Sequence, residues 1–147
     1  MDDMTVAQRS ANMSHIRSTN SKPEEIVSKY LFAKGFRYRK NDKRYAGKPD
    51  LVFPKYKTMI FINGCFWHCH RGCKYAATPK TNTDYWLPKL ARNVERDERN
   101  HKELLQAGWN IIIVWECALR KEYKDKSLET LVDKLLNPMA SIQEISC

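Results

Sequence analysis

Apolar residues recur along the chain with two periods, one typical of helices and one typical of strands. The first helical stretch is predicted to begin at Pro23, because proline fits a first turn and the acidic Glu24 and Glu25 favour the positive end of the helix dipole. Its apolar face contains Ile26, Val27, Tyr30 and Leu31. Gly35 is expected to end this helix, since glycine readily adopts the left-handed conformation that follows a last turn.

Three strand-like segments follow. Residues 36–39 alternate large and basic side chains, and residues 49–53 form a second strand that Pro54 stops. Residues 58–62 form a continuous apolar run of the kind that occupies the buried middle of a sheet. This third strand leads directly into a segment rich in cysteine and histidine.

The second half of the chain predicts a helix, a strand and a helix. A helical pattern covers residues 84–107, with Gly108 as the expected C-cap and Pro88 interpreted as the start of a fresh first turn. Residues 109–115 are β-branched and aromatic and predict a strand, and residues 127–136 predict a last amphipathic helix. The order helix, three strands, helix, strand, helix indicates a single α/β domain.

Length and charge narrow the class of partner. The chain has 147 residues, enough for one domain with its own core, and it carries a net charge of +9 with a pI near 9.4. Together with 11% aromatic residues, this charge favours a polyanionic partner such as DNA or RNA. A basic surface kept for solubility is the alternative. Residues 1–22 are polar and basic and are expected to form a short helical arm in front of the domain formed by residues 23–147.

Cysteine usage points to a reducing compartment. The five cysteines offer no obvious disulfide framework, and no charged-then-apolar signal segment opens the chain. We therefore expect a cytoplasmic protein. A membrane role has no support, because no apolar run approaches the roughly 20 residues that span a bilayer.

One segment, residues 64–73, holds three cysteines, two histidines and two large aromatic side chains. Thiolate and imidazole at short spacing are the ligands of a structural zinc ion, which can fix a loop that has little core of its own. The proposed ligands are Cys65, His70, Cys73 and the more distant Cys117. Cys69 and His68 lie in the same loop and are alternatives, and a set of buried thiols without metal is the other interpretation.

Asp50 stands where a strand begins, a usual place for a carboxylate that offers oxygen to Mg²⁺, although turns use a Pro-Asp pair just as readily. If Asp50 and Ile62 lie on neighbouring strands, His68 follows a few residues later, and a metal ligand and a general base can meet around one phosphate. Further carboxylate candidates are Glu24, Glu95 and Asp97. Each of these has an ordinary alternative, as a helix-dipole partner or as a solvated helix charge.

Two aromatic pairs stand next to polar and basic sequence. They are Phe66 with Trp67 and Tyr85 with Trp86. Core packing is the default for any tryptophan, but aromatic pairs on loops beside positive charge suit stacking on bases or wedging between base steps. Trp109 and Trp115 lie within a predicted strand, and we assign them to the core.

Four motifs resemble those of one nuclease family. They are Pro49-Asp50, Phe61-Ile62-Asn63-Gly64-Cys65-Phe66-Trp67-His68, Asn93-Val94-Glu95-Arg96-Asp97 and Val114-Trp115-Glu116-Cys117-Ala118-Leu119-Arg120. From about Arg9 to Arg120 the sequence resembles the very short patch repair (Vsr) mismatch endonucleases. The resemblance implies a restriction-endonuclease-like fold of the PD-(D/E)xK type, with a mixed central sheet flanked by helices and the usual second acidic-lysine motif replaced.

The resemblance also implies an activity, the strand-specific and Mg²⁺-dependent nicking of DNA 5′ to the thymine of a T:G mismatch left by deamination of 5-methylcytosine. Asp50 then binds Mg²⁺ and His68 is the general base. Ile62 falls where the family supplies a backbone carbonyl to the metal, and Glu24 matches a glutamate near the active site. Asn63 replaces an active-site histidine of the best-known member, so it can support the site by hydrogen bonds but cannot take a proton.

For DNA contact, the resemblance implies that aromatic side chains wedge beside the mismatch while the arm lies against the other groove. The implied wedging residues are Phe66, Trp67 and Trp86, with Met13 in the arm. Structural zinc is implied at the four ligands proposed from spacing. The loop before Cys73 is one residue longer than in the best-known member, which leaves Cys69 open as a replacement for His70.

The implied partner is double-stranded DNA with a T:G mismatch, bound by a monomeric bacterial protein that works on the nucleoid. Mismatch-repair proteins are further candidate partners. Two alternatives stay open, a non-catalytic zinc-stabilised DNA-binding module and a restriction-like nuclease without mismatch preference. Residues 121–147 could complete the core or contribute a partner-binding helix.

Overall fold

A computed structural model describes residues 22–70, 72, 73, 76, 81–139 and 141–147. Apart from Lys22, the predicted arm with Met13 lies outside these residues. The helices are α1 (Lys22–Ala33), α2 (Thr83–Gln106) and α3 (Lys124–Leu136). The strands are β1 (Arg39–Lys40), β2 (Leu51–Phe53), β3 (Thr58–Asn63), β4 (Asn110–Trp115) and β5 (Ile142–Ile145). Within this part of the chain, no helix has both the length and the apolar character needed to cross a membrane.

The strands form one mixed sheet in chain order, from β1 to β5. β1, β2 and β3 pair antiparallel, whereas β3, β4 and β5 pair parallel. A parallel pair requires a crossover connection, and α2 supplies it between β3 and β4 while α3 supplies it between β4 and β5. The prediction of an α/β domain with a mixed sheet flanked by helices is confirmed.

Each face of the sheet carries its own buried cluster. Alternation along β3 directs Ile60 to one face and Phe61 to the other. The first face packs against α1, through Leu31, and against the apolar side of α3. The second face packs against α2 through Leu104. Because α3 and β5 both contribute buried residues, residues 121–147 complete the core.

Two strand predictions need correction. The segment predicted over residues 36–39 shrinks to Arg39–Lys40, because Phe36 turns into the core beside α1 instead of pairing. Strand β5 was not predicted at all. Its four residues include the polar Gln143 and Glu144, and only pairing with β4 makes them a strand.

Helix α2 also differs from its prediction. It begins at Thr83, so Pro88 lies inside the helix and does not start a fresh turn. The missing N–H of Pro88 leaves the carbonyl of Asp84 without its helical donor, which exposure of both residues to water compensates. Tyr85 and Trp86 belong to the first turns of this helix, in agreement with the predicted helix over residues 84–107 and not with the loop position suggested for the aromatic pair.

Candidate active site and metal centre

Asp50 lies immediately before β2, next to the C-terminal half of β3. Antiparallel pairing of these strands brings its carboxylate to the backbone of Ile62, whose N–H donates to Asp50 Oδ2 at 2.7 Å. The expected juxtaposition of Asp50 and Ile62 is therefore present. A turn residue with a solvated carboxylate would not make this contact.

Burial raises the pKa of Asp50 from 3.8 to about 6. The negative charge of Glu24 raises it further, while the Ile62 N–H and the positive charges of His68 and Lys48 oppose the shift. A half-buried carboxylate beside a second carboxylate binds a proton readily, and by the same physics it favours a divalent cation.

Glu24 occupies the first turn of α1, yet its side chain is only 1% exposed. The side-chain amide of Asn41 donates to Glu24 Oε1 at 3.1 Å. A residue that served only the helix dipole would remain in solvent. The structure instead turns Glu24 inward, toward Asp50.

His68 and Asp97 form a close pair across the loop and α2. Nδ1 of His68 and Oδ2 of Asp97 lie 2.5 Å apart, and both side chains are about one-quarter exposed. Glu95, the other candidate on α2, points to solvent. The helical period distinguishes Asp97 from Glu95. Asp97 follows the buried Leu90 by seven residues, which is about two helical turns, so it lies on the same face of the helix.

A cavity of about 440 Å³ adjoins this pair on the α2 side of the sheet. Its lining includes Asn63 from the end of β3 together with His68, Asp97 and His101. Asn63 is 5% exposed, consistent with a support position next to His68. The sequence did not indicate His101 as a site residue. Burial lowers the pKa of His101, so this residue faces the cavity as a neutral imidazole.

The four proposed zinc ligands lie close together in the structure. The ligand atoms of Cys65, His70, Cys73 and Cys117 all lie within 4.8 Å of one another. Nδ1 of His70 is 3.6 Å from Sγ of Cys117, and the His70 ring stacks on Trp115 with centroids 4.0 Å apart. Cys69 does not join this group.

The chemistry of this cluster fits a metal ion. Burial raises the pKa of Cys65 and of Cys117, so without a metal both stay neutral thiols in a dry environment. Burial also lowers the pKa of His70, which keeps its imidazole neutral and able to coordinate. Three thiols and one imidazole match the closed donor set of structural zinc, and the cluster could hold such an ion.

Cys117 has one more neighbour that the sequence did not indicate. The backbone N–H of Cys147, two residues after β5, donates to Cys117 Sγ at 3.4 Å. Trp115, two residues before Cys117, donates through Nε1 to Glu144 of β5 at 2.9 Å. The unpredicted strand β5 therefore supports the metal centre as well as the core.

The predicted wedge residues form one aromatic cluster. Ring centroids are 5.3 Å apart for Phe66 and Trp67, 5.5 Å for Phe66 and Trp86, and 5.6 Å for Trp67 and Trp86. Nζ of Lys89 lies 5.6 Å from the Trp67 ring and 5.9 Å from the Trp86 ring. All three rings are half-buried, and the cation beside them suits a surface that meets a polyanion.

The remaining two tryptophans differ in their outcome. Trp115 is buried in the sheet, as predicted. Trp109 lies just before β4 and is half-buried, packing edge-on against Tyr45 with centroids 5.3 Å apart. Tyr85, the fourth aromatic residue proposed for base contact, is 58% exposed and touches Trp86 edge-on.

Comparison with known proteins finds one family model and several relatives of this chain. A family model described as DNA mismatch endonuclease Vsr matches residues 1–74. The chain is 40% identical over 140 residues to the DNA mismatch endonuclease Vsr of Escherichia coli, an alignment that covers 93% of this chain and 89% of that relative. It is 53% identical over 121 residues to the type II nicking enzyme V.NmeAIP of Neisseria meningitidis, which covers 82% of this chain and 86% of the relative.

A third relative is the type II nicking enzyme V.XorIIP of Xanthomonas oryzae pv. oryzae, 40% identical over 118 residues, or 80% of this chain and 86% of the relative. The fold, the site and these relatives define an endonuclease that acts on DNA. The chain belongs to the Vsr family of DNA mismatch endonucleases, as its motifs predicted.

Proposed function

We propose that this protein nicks one DNA strand 5′ to the thymine of a T:G mismatch, in an Mg²⁺-dependent reaction that opens very short patch repair in the bacterial cytoplasm. The observation that carries the proposal is that Asp50 accepts from the backbone of Ile62 at the C-terminal end of β3, the strand that leads into the loop of His68. The mixed five-stranded sheet also supports assignment of the protein to the restriction-endonuclease-like fold.

Asp50 and the backbone carbonyl of Ile62 would hold Mg²⁺, with Glu24 adding a second negative charge beside them. When bound, Mg²⁺ supplies Lewis-acid stabilisation to the phosphate and to the leaving 3′ oxygen. The hydrogen bond from the Ile62 N–H fixes the direction of the Asp50 carboxylate before any ion arrives.

His68 is the proposed general base. The carboxylate of Asp97 can only accept a hydrogen bond, so its contact with Nδ1 places the ring proton there and leaves Nε2 to accept a proton from water. In-line attack of that water on the phosphate gives 5′-phosphate and 3′-hydroxyl ends. Asn63 supports this step only by hydrogen bonding, because an amide does not take a proton at neutral pH.

Structural zinc at the four-residue cluster would order the loop that carries both functions. Cys65 and His70 bracket Phe66, Trp67 and His68, so anchoring those two ligands fixes the wedge and the base together. Cys117 ties the same loop to the end of β4.

Mismatch preference would arise from the aromatic cluster. A wobble-paired T:G step is easier to unstack than a matched step, so an inserted Trp67 with Phe66 and Trp86 behind it costs less DNA deformation there. Residues 1–22 with Met13 would contact the other groove. We propose that the protein works as a monomer and that mismatch-repair proteins are partners beyond DNA.

End-labelled duplexes that differ only in T:G versus C:G at one site test the proposal. Wild-type protein and Asp50→Ala are incubated with and without Mg²⁺. We expect Mg²⁺-dependent nicking of the T strand alone, abolished in the variant. Equal cutting of both duplexes would favour a nuclease without mismatch preference, and binding without cutting in any sequence context would favour the non-catalytic module.

A further inference from the structure

Asn41, at the end of β1, connects the two carboxylates of the site. Its backbone N–H donates to the carbonyl oxygen of Asp50 at 3.0 Å. Its side-chain amide donates to Oε1 of Glu24 at 3.1 Å. One residue thus contacts both the strand that begins after Asp50 and the helix that carries Glu24.

The backbone of Asn41 adopts a conformation that most residues avoid. Its φ is +50°, in the left-handed region where asparagine is among the few side chains commonly found. This φ allows the main-chain N–H and the side-chain amide to contact Asp50 and Glu24 from one position. A side chain with a lower preference for the left-handed region would strain the turn.

The side-chain amide of Asn41 makes its hydrogen bond through its NH₂ group. Among the side-chain atoms that the structure describes, Oδ1 of Asn41 is the buried oxygen without a hydrogen-bond donor. Leaving a buried acceptor unpaired is unfavourable. The amide nevertheless keeps this orientation, in which its NH₂ group donates to Glu24. The contact with Glu24 is the one that this orientation serves.

Glu24 needs such a restraint because it lies beside a like charge. Asn41 contacts Glu24 through its side chain and Asp50 through its backbone, so the two acidic residues are neighbours and their carboxylates repel each other when both are charged. The amide of Asn41 is a neutral donor, so it holds the carboxylate without itself cancelling the negative charge that attracts a divalent cation.

We propose that Asn41 is a positioning residue of the nicking site, which restrains Glu24 beside Asp50 and thereby sets the affinity of the site for a divalent cation. This inference rests on the proposed function and adds a residue to it. Asn41 acts through Glu24 and does not itself take part in the chemistry. A residue that merely shapes the turn would affect folding but not cation affinity.

Asn41→Gly tests the proposal, since glycine accepts φ of +50° without strain and removes only the amide. We expect the Mg²⁺ concentration for half-maximal nicking of T:G DNA to rise roughly 10- to 100-fold, the usual effect of losing an outer-shell residue of a metal site. At saturating Mg²⁺ the rate should return close to that of the wild type. The melting temperature should fall less than in Asn41→Ala, because glycine leaves the backbone unstrained.

Two further variants separate positioning from folding. Asn41→Ala removes the same amide but strains the backbone, so it should show the same Mg²⁺ requirement with a lower melting temperature. Lys57→Gly is the matched control, because Lys57 also has a positive φ, +53°, in the turn before β3, away from the carboxylates. It should leave the Mg²⁺ requirement unchanged.

Binding of Mn²⁺, followed by electron paramagnetic resonance without turnover, provides a second readout. Asn41→Gly should bind Mn²⁺ more weakly than the wild type, and Lys57→Gly should bind it equally well. Wild-type affinity in Asn41→Gly, or an Mg²⁺ requirement that follows melting temperature across the variants, would overturn the proposal. If the wild type failed to nick T:G DNA, the proposed function would fail, while Mn²⁺ binding would still decide the part played by Asn41.

Discussion

Nδ1 of His68 lies 2.5 Å from the carboxylate of Asp97, although 29 positions separate the two residues in the chain. Helix α2 crosses the face of the sheet and returns Asp97 to the loop that follows β3. The pair fixes both the ring orientation and the position of its proton, as a general base requires. The same loop continues to His70, so the proposed base and the proposed metal centre share one segment of the chain.

The His68 and Asp97 pair predicts a graded loss of nicking. His68→Ala should lower the single-turnover rate roughly 10²- to 10⁴-fold, the usual contribution of a general base. Asp97→Asn should cost less, because His68 remains but loses the negative charge beside it, and an amide can offer Nδ1 either a donor or an acceptor, so the tautomer is no longer selected. Single-turnover nicking of an end-labelled T:G duplex at saturating Mg²⁺ measures both effects.

Glu95→Gln is the control for this pair, since it removes an exposed carboxylate from the same helix. It should nick at the wild-type rate. Equal losses in Glu95→Gln and Asp97→Asn would mean that helix charge matters and that the contact with His68 does not.

Asp50→Asn should make the protein more stable while abolishing nicking. The pKa of Asp50 in the folded protein, about 6, exceeds its ordinary value of 3.8, so the unfolded chain loses this proton first as the pH rises. The wild type therefore loses stability between pH 4 and 6, by roughly 3 kcal/mol for a shift of this size. Asparagine carries no charge and can still accept from the Ile62 N–H.

Urea unfolding at several pH values without added Mg²⁺ measures this effect. The gain in the free energy of unfolding should be full above pH 6 and absent below about pH 4. A variant that is less stable than the wild type at pH 8 would show that Asp50 is not destabilised by burial.

Substitution of a zinc ligand should remove the metal, and Cys69 provides a neighbour for comparison. Cys73→Ser should reduce bound zinc from about one ion per chain and lower the melting temperature, because the remaining thiols and imidazole do not complete a tetrahedral shell. Cys69→Ser should retain zinc, since Cys69 lies outside the converging group. Elemental analysis of the purified variants gives the metal content.

A reversed result would change the ligand set. Loss of zinc in Cys69→Ser together with full zinc in His70→Ala would place Cys69 in the shell. Removal of zinc from the wild type by a chelator should also change the tryptophan fluorescence, because Trp67 lies between two ligands of the ion.

Truncation of the aromatic cluster should weaken binding to mismatched DNA. Trp67→Ala should cost about 1–3 kcal/mol, the usual contribution of one stacked base, or roughly a 5- to 150-fold rise in Kd. The duplex titrations are carried out at one salt concentration in the Asp50→Ala background, so that no cleavage occurs. Fluorescence anisotropy of a labelled T:G duplex follows the binding.

Phe32→Ala serves as the comparison, because Phe32 is 54% exposed on α1 and packs on Arg37 away from the aromatic cluster. Its Kd should stay at the wild-type value. Equal weakening for T:G and matched duplexes in Trp67→Ala would argue that the cluster contributes general affinity and not mismatch preference.

Much of this molecule follows from local sequence. Periodicity located the three helices and the central strands β3 and β4, because those segments are long and bury one face. Residue chemistry selected four soft ligands from five cysteines and four histidines, and the structure brings those four together. Both kinds of inference depend on features that are readable within a few residues.

Other features depended on contacts between distant segments. Strand β5 is too short and too polar to be recognised until β4 pairs with it. Glu95 and Asp97 are both acidic residues with similar neighbours in the sequence. Packing of α2 on the sheet leaves Glu95 exposed and pairs Asp97 with His68. Asn41 contacts Glu24 only because β1 folds back beside α1.

The sequence by itself therefore determined the three helices, the central strands, the candidate metal-binding residues and the family, since these depend on residue type and short spacing. Tertiary structure alone decided the strand pairing, the burial of Glu24 and the partner of His68. These depend on which distant segments pack together, and that is set by the free energy of the whole core.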